Sequence, residues 1–213
     1  MEDGRRVCIN TAWQVLLDFG LRQKNVATMK SIYIQPFEEA AAGLLENVTA
    51  AIGEVFGIKT VLGRNLTEPK SSLDNRRSQY RAQCFLEALS EERESLSQRA
   101  PGELLLLGIT RMDLFVPRLN FVFGVAEREK GVAVVSVNRL EPEFYGNTPD
   151  RELMQTRLLK ESIHEIGHVL GIDHCGDPRC IMHFSSTIGD TDSKGPGFCS
   201  RCEMRLQAHE QWR

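Results

Sequence analysis

Residues 164–174 read His-Glu-Ile-Gly-His-Val-Leu-Gly-Ile-Asp-His. No other stretch limits the chain's possible folds so tightly. On an α-helix, His164 and His168 stand four residues apart and project from one face, so their imidazoles converge on one ion. Ile163, Ile166 and Leu170, with Leu159, fall on another stripe. The pattern predicts one helix with a metal face and a packing face. Gly171 stands where that helix must stop and the chain turn back, which positive φ permits. His174 then supplies a third nitrogen. Three neutral imidazoles leave a fourth zinc position open, as in catalytic rather than structural sites. Zinc brings its water to a pKa of about 7. Glu165, next to His164, is placed to take the proton from that water and pass it to a leaving amine. Two solvated histidines on a surface helix are the bland alternative. It weakens once Gly171 and His174 join at fixed spacing, because the string holds three of the chain's five histidines.

A second cluster follows at once. Four of the six cysteines lie between 175 and 202. Cys175 and Cys180 pair as C-x4-C, and Cys199 and Cys202 as C-x2-C. That spacing suits a closed, tetrahedral zinc with four sulfur ligands, which would staple a tail that has little core of its own. Reduced or redox thiols, or two disulfides, are the competing readings. Cys8 and Cys84 have no partners and read as ordinary residues. Met182 lies eight residues after His174; it is either core packing or a methionine turn beneath the metal. His183 reads as packing, with a cleft-lining role as the alternative, and His209 as a solvated tail residue.

The rest of the chain reads as α/β. Strands are expected at 31–35, 58–62 and 104–109, the last a continuous apolar run typical of a buried parallel strand. Helices are expected at 38–56 and 79–96, with a loop at 63–76. Residues 120–126 and 132–137 predict an antiparallel hairpin, and 149–170 the long metal-bearing helix. Beyond it the chain looks short of regular structure. No apolar run approaches 18 residues, so no transmembrane helix is expected. The N-terminus lacks the features of a signal peptide. The expected compartment is therefore the reducing cytoplasm, where cysteines are thiols or metal ligands. Lys and Arg number 26 against 29 Asp and Glu, a net charge of −3, which gives no electrostatic case for nucleic acid or an anionic membrane.

With these residues assembled, the chain resembles the archaemetzincins, a family of metzincin-type zinc peptidases. The extended histidine string, the stretch 175–182 and the pair Cys199 and Cys202 carry most of the likeness. Stretches 113–117, 120–124, 132–140 and 142–146 support it, and it covers about residues 29–205. The resemblance implies a mixed, twisted sheet with helices in an upper subdomain, about 29–171. A cleft divides this from a small, irregular, zinc-stapled lower subdomain, about 172–213. It implies catalytic zinc on His164, His168 and His174, Glu165 as general base and Met182 as the turn methionine. It also implies a structural zinc on Cys175, Cys180, Cys199 and Cys202. Metzincins hold substrate antiparallel to an edge strand, which by chain order falls near 120–126. Family members usually begin near the first strand. Residues 1–28 are therefore expected to be an extension, disordered or the product of a start codon placed too early.

The expected function is thus a monomeric zinc metallopeptidase with two zinc ions, acting on peptides or proteins. The rivals are a catalytically idle zinc protein that binds peptides or other partners, and a zinc hydrolase of non-peptide amides. An idle descendant has no chemical need for Glu165. Asp173, Asp190 and Asp192 are candidates for gripping a free amine, although loop or turn roles fit them better. Tyr145 and Lys194 are candidates for a specificity pocket, with structural roles the stronger reading.

Overall fold

The computed structural model describes residues 29–38, 42–99 and 103–210. The expected N-terminal extension, with Cys8, lies outside the described residues. Five strands form the main sheet: β1 (Met29–Pro36), β2 (Thr60–Leu62), β5 (Glu103–Thr110), β7 (Gly124–Glu127) and β8 (Val132–Ser136). Their spatial order is β2-β1-β5-β8-β7. The first four run parallel, and β7 pairs antiparallel with β8 at one edge. A small second sheet joins β3 (Leu73–Asp74), β4 (Gln79–Arg81) and β6 (Leu114–Phe115).

The sheet is buried on both faces, as its unbroken apolar runs demand. Side chains alternate along each strand. Leu105, Leu107, Ala133 and Val135 face one core, together with α1 (Ala42–Phe56) and α3 (Arg151–Val169). Leu104, Leu106, Val132 and Val134 face a second core, made with Phe85, Leu86 and Leu89 of α2 (Ala82–Arg99).

Helix α3 carries the histidine string. Asp150 caps its N-terminus by accepting from the Leu153 amide at 2.9 Å, which satisfies an orphan donor. Leu159, Ile163 and Ile166 are fully buried, each contributing roughly 1.5–3 kcal/mol of apolar burial. The helix ends as the sequence requires. Gly171 adopts φ 91°, its amide donates to His168 O, and the Ile172 amide donates to Gly167 O. This is a Schellman closure, and it swings His174 back toward the face it left.

Several boundaries differ from expectation. Gln79–Arg81 is a strand, because it pairs with β6 and β3 before α2 begins. The edge strand starts only at Gly124. Residues 118–123, although they end in the apolar run Phe121, Val122 and Phe123, form turns and irregular backbone that pack as a loop. The tail is more regular than its composition suggests: it holds α4 (Ile188–Ser193) and α5 (Ser200–Glu210). Cys202 and Leu206, four residues apart on α5, are both buried and hold that helix on the core. No helix among the described residues is long and apolar enough to cross a membrane.

Candidate metal centres

The metal-ligating atoms of His164, His168 and His174 lie within 4.8 Å of one another. His164 is buried, and His174 is exposed, edge-on to the Phe184 ring at 5.0 Å. Two of the rings are locked from behind. His164 Nδ1 donates to Ile181 O at 2.8 Å, and His168 Nδ1 donates to Ile172 O at 2.7 Å. Each carbonyl can only accept, so each Nδ1 carries the proton and each Nε2 a bare lone pair. Those two Nε2 atoms face each other at 3.0 Å. Two lone pairs with no proton between them repel, and a cation in their midst removes the repulsion. Zinc–nitrogen bonds of about 2.0–2.1 Å suit that separation. Burial holds all three imidazoles below their usual pKa, which keeps them neutral, the state that ligates.

Glu165 shares this end of α3 and packs against β7. A Cβ on Gly124 would come 2.6 Å from Glu165 Cγ, so only glycine lets the strand lie this close. Burial, and secondarily the charge of Glu161, push the Glu165 carboxyl well above the ordinary carboxylate range. A cleft of about 540 Å³ opens over Glu165 and the three histidines. Its roof is the 119–126 segment, and its other side holds Phe184, Ser185 and Ser186.

The four cysteines also converge. The sulfurs of Cys175, Cys180, Cys199 and Cys202 lie within 4.8 Å of one another. Cys175 Sγ and Cys199 Sγ are 3.8 Å apart, far beyond a disulfide bond. Donors aim at the cluster: Asp177 N–H and Arg201 Nη2 at Cys175 Sγ, and Cys199 N–H at Cys180 Sγ. Burial pushes Cys175 up, but the Asp177 amide, Arg201 and the neighbouring thiols together bring it down to about 7. Burial raises Cys180 and Cys202. A nest of thiols in which one ionises readily and others resist suits a soft cation that neutralises all four.

The two clusters share one stretch of backbone. Ile181 O holds His164, and Met182 O accepts from the Cys175 amide at 2.8 Å. Met182 is fully buried beneath α3, where a Cβ on Gly167 would lie 2.5 Å from its Sδ. The structure therefore brings every proposed metal residue, Glu165 and Met182 into one region.

Other candidates have structural places. His183 donates from Nδ1 to Cys175 O at 3.0 Å. Tyr145 donates to Arg139 O at 3.0 Å. Asp190 completes a capping box with Thr187 on α4, and Asp192 makes a double ion pair with Arg157. Asp173 lines the cleft beside His174. Cys84 is half-buried on α2, and the side chain of His209 lies outside the described residues. Sequence reasoning missed Gly124, whose role depends on a strand and helix forty residues apart. It also missed Glu161, a buried acid on the same helix face as His164 and Glu165, which its spacing could have flagged.

Residues 38–208 match the sequence pattern of Peptidase family M54. An archaemetzincin of Pyrococcus furiosus is 39% identical over 181 residues, covering 83% of this chain and 92% of its own. The crystal structure of archaemetzincin from Methanopyrus kandleri is 32% identical, with a TM-score of 0.72 over 89% of this chain and 99% of that one. A zinc-dependent peptidase from Methanocorpusculum labreanum superposes with a TM-score of 0.76 at 31% identity, over 82% of this chain and 99% of that one.

Proposed function

The chain belongs to peptidase family M54, the archaemetzincins, and from that premise we propose how its residues divide the work of a zinc metallopeptidase. His164, His168 and His174 hold the catalytic zinc. Cys175, Cys180, Cys199 and Cys202 hold a second, structural zinc that fastens residues 172–210 to the body of the protein. The observation that supports this division most is the facing pair of Nε2 atoms, whose rings are locked by Ile181 O and Ile172 O. When bound, the catalytic zinc supplies Lewis acidity to a peptide carbonyl and to the attacking water.

The chain's own residues do the rest. Among the described residues β7 is one of the two edges of the main sheet, the one beside the cleft. A substrate strand lying antiparallel to it takes main-chain hydrogen bonds and presents its peptide bond over the histidines. Glu165 receives the proton of the attacking water and delivers it to the departing amine, so one carboxylate serves as base and then acid. Met182 is the turn methionine, packed beneath the imidazoles. The cleft separates an upper subdomain, about 29–171, from a lower one, about 172–213. Four reduced thiols in one site favour a cytoplasmic setting, and a monomer suffices, since one chain supplies every residue named.

Two measurements test the division. Metal analysis of the purified protein should give two zinc ions per chain; one would refute the four-cysteine site. Glu165→Ala should keep both ions and lose peptide-bond cleavage by about 10²-fold or more. Unchanged turnover would overturn the role of Glu165.

A further inference from the structure

The cleft runs past His164 to a buried ion pair that the hydrolytic division leaves without a task. Glu161 stands one turn before Glu165 on α3 and lines the cleft, as does Ser185. Its side chain is 3% exposed, and that of its partner Lys194 is 0% exposed. All the donors converge on a single oxygen. Oε1 accepts from Lys194 Nζ at 3.1 Å, Thr191 Oγ1 at 2.9 Å and Ser185 Oγ at 3.5 Å. Among the described residues no donor reaches Oε2. Glu161 lines the cleft, so Oε2 is the acceptor of this pair left for water or for a side chain that enters the cavity.

Resting on the peptidase reading above, we propose that Glu161 selects the substrate. Its Oε2 accepts a hydrogen bond from an uncharged, donor-tipped side chain, an amide or a hydroxyl, beside the bond to be cut. The chemistry excludes the other classes in turn. A carboxylate side chain would set acceptor against acceptor and charge against like charge. An apolar side chain would strip water from Oε2 and return nothing, the situation in which polar sites discriminate most strongly. A lysine or arginine would bring a second cation to a carboxylate that Lys194 already neutralises, and its desolvation would go uncompensated. Glu161 is thus a specificity residue, and Lys194 and Thr191 position it by holding Oε1.

The test is binding, so it does not depend on turnover. Four peptide hydroxamates that differ in one side chain next to the hydroxamate (glutamine, glutamate, norleucine, lysine) are titrated into the zinc-loaded protein by calorimetry. Glutamine and glutamate match in shape but differ in their donor. Glutamine should bind about tenfold or more tighter than each of the others. The double variant E161L/K194M removes both charges together and so strands neither. With its fold and zinc content verified, it should reverse the order and favour norleucine. Equal affinities across the wild-type series would overturn the proposal and leave the peptidase reading standing. Tightest binding of lysine would overturn the requirement for an uncharged donor. Failure of all four hydroxamates to bind would overturn the peptidase reading, and the selection proposal with it. The wild-type series decides even if the double variant does not fold.

Discussion

Replacing Gly124 with alanine adds one carbon where β7 crosses Glu165. That carbon would stand 2.6 Å from Glu165 Cγ, 2.8 Å from Oε1 and 2.9 Å from Cδ. Ordinary van der Waals contact begins near 3.4 Å, so something must move by about 0.8 Å. Glu165 lies on a helix anchored by Ile163 and Ile166, both fully buried, and its backbone cannot retreat. Either its carboxylate swings aside or the edge strand lifts. Overpacking of this kind costs roughly 1–3 kcal/mol. An edge strand yields more easily than a core, so the stability loss should sit near the low end. Activity should suffer more, since a catalytic group misplaced by about 1 Å loses on the order of 10²-fold. Steady-state cleavage of a peptide should therefore show kcat down by roughly 10- to 100-fold, with two zinc ions retained and a modest fall in Tm. Gly189→Ala is the control, because its added carbon would meet nothing nearer than Thr187 Oγ1 at 3.6 Å. A Gly124→Ala enzyme within twofold of wild-type kcat would refute the claim that this glycine seats the base.

Two further outcomes follow from the second cluster and from the tail. Cys199→Ser should drop the zinc content from two toward one and open residues 172–210 to limited proteolysis. Activity should fall with it, since Cys175 adjoins His174; full zinc content and unchanged proteolysis would count against the staple. Asp190 is held below the usual carboxylate range by the Thr187 hydroxyl and the Thr187 and Ser186 amides. A folded pKa below the unfolded one gives stability above the unfolded value, about 3.9, that is lost as pH falls through the folded value. Asp190→Asn should therefore lower Tm at pH 7, and the gap to wild type should narrow as pH falls below the unfolded value and through the folded one. A gap that is constant with pH would refute the assignment.

The histidine centre was legible because its parts are local. Eleven residues on one helix and its closure fix where three rings go, and Gly171 adopts the positive φ that the turn needs. The parallel core strands were legible for the same reason, as runs such as 104–107 suit only burial on both faces. What escaped notice depends on distance along the chain. Phe121, Val122 and Phe123 look like strand residues, yet the ladder with β8 begins at Gly124. Arg77 instead holds this loop by donating to Leu119 O and Asn120 O. The helix α5 has little apolar content to announce it, and only the burial of Cys202 and Leu206 explains it. The pair of Glu161 and Lys194 spans 33 residues, and no local pattern links them.

A free strand edge attracts any extended chain, including another copy of its own protein, and is a standing aggregation hazard. Among the described residues β7 is such an edge, and it must stay open if peptides are to dock there. Its length limits the danger. It has four residues, begins at a glycine and ends at Glu127, whose carboxylate pairs with Lys130 at 3.0 Å. A partner strand gains only a few hydrogen bonds, each worth about 0.5–1.5 kcal/mol net. That suffices to hold a substrate for a turnover but not to nucleate a fibre. Lengthening β7 by one or two pairing residues, with the metal centres untouched, is the change that would turn this docking edge into an aggregating one.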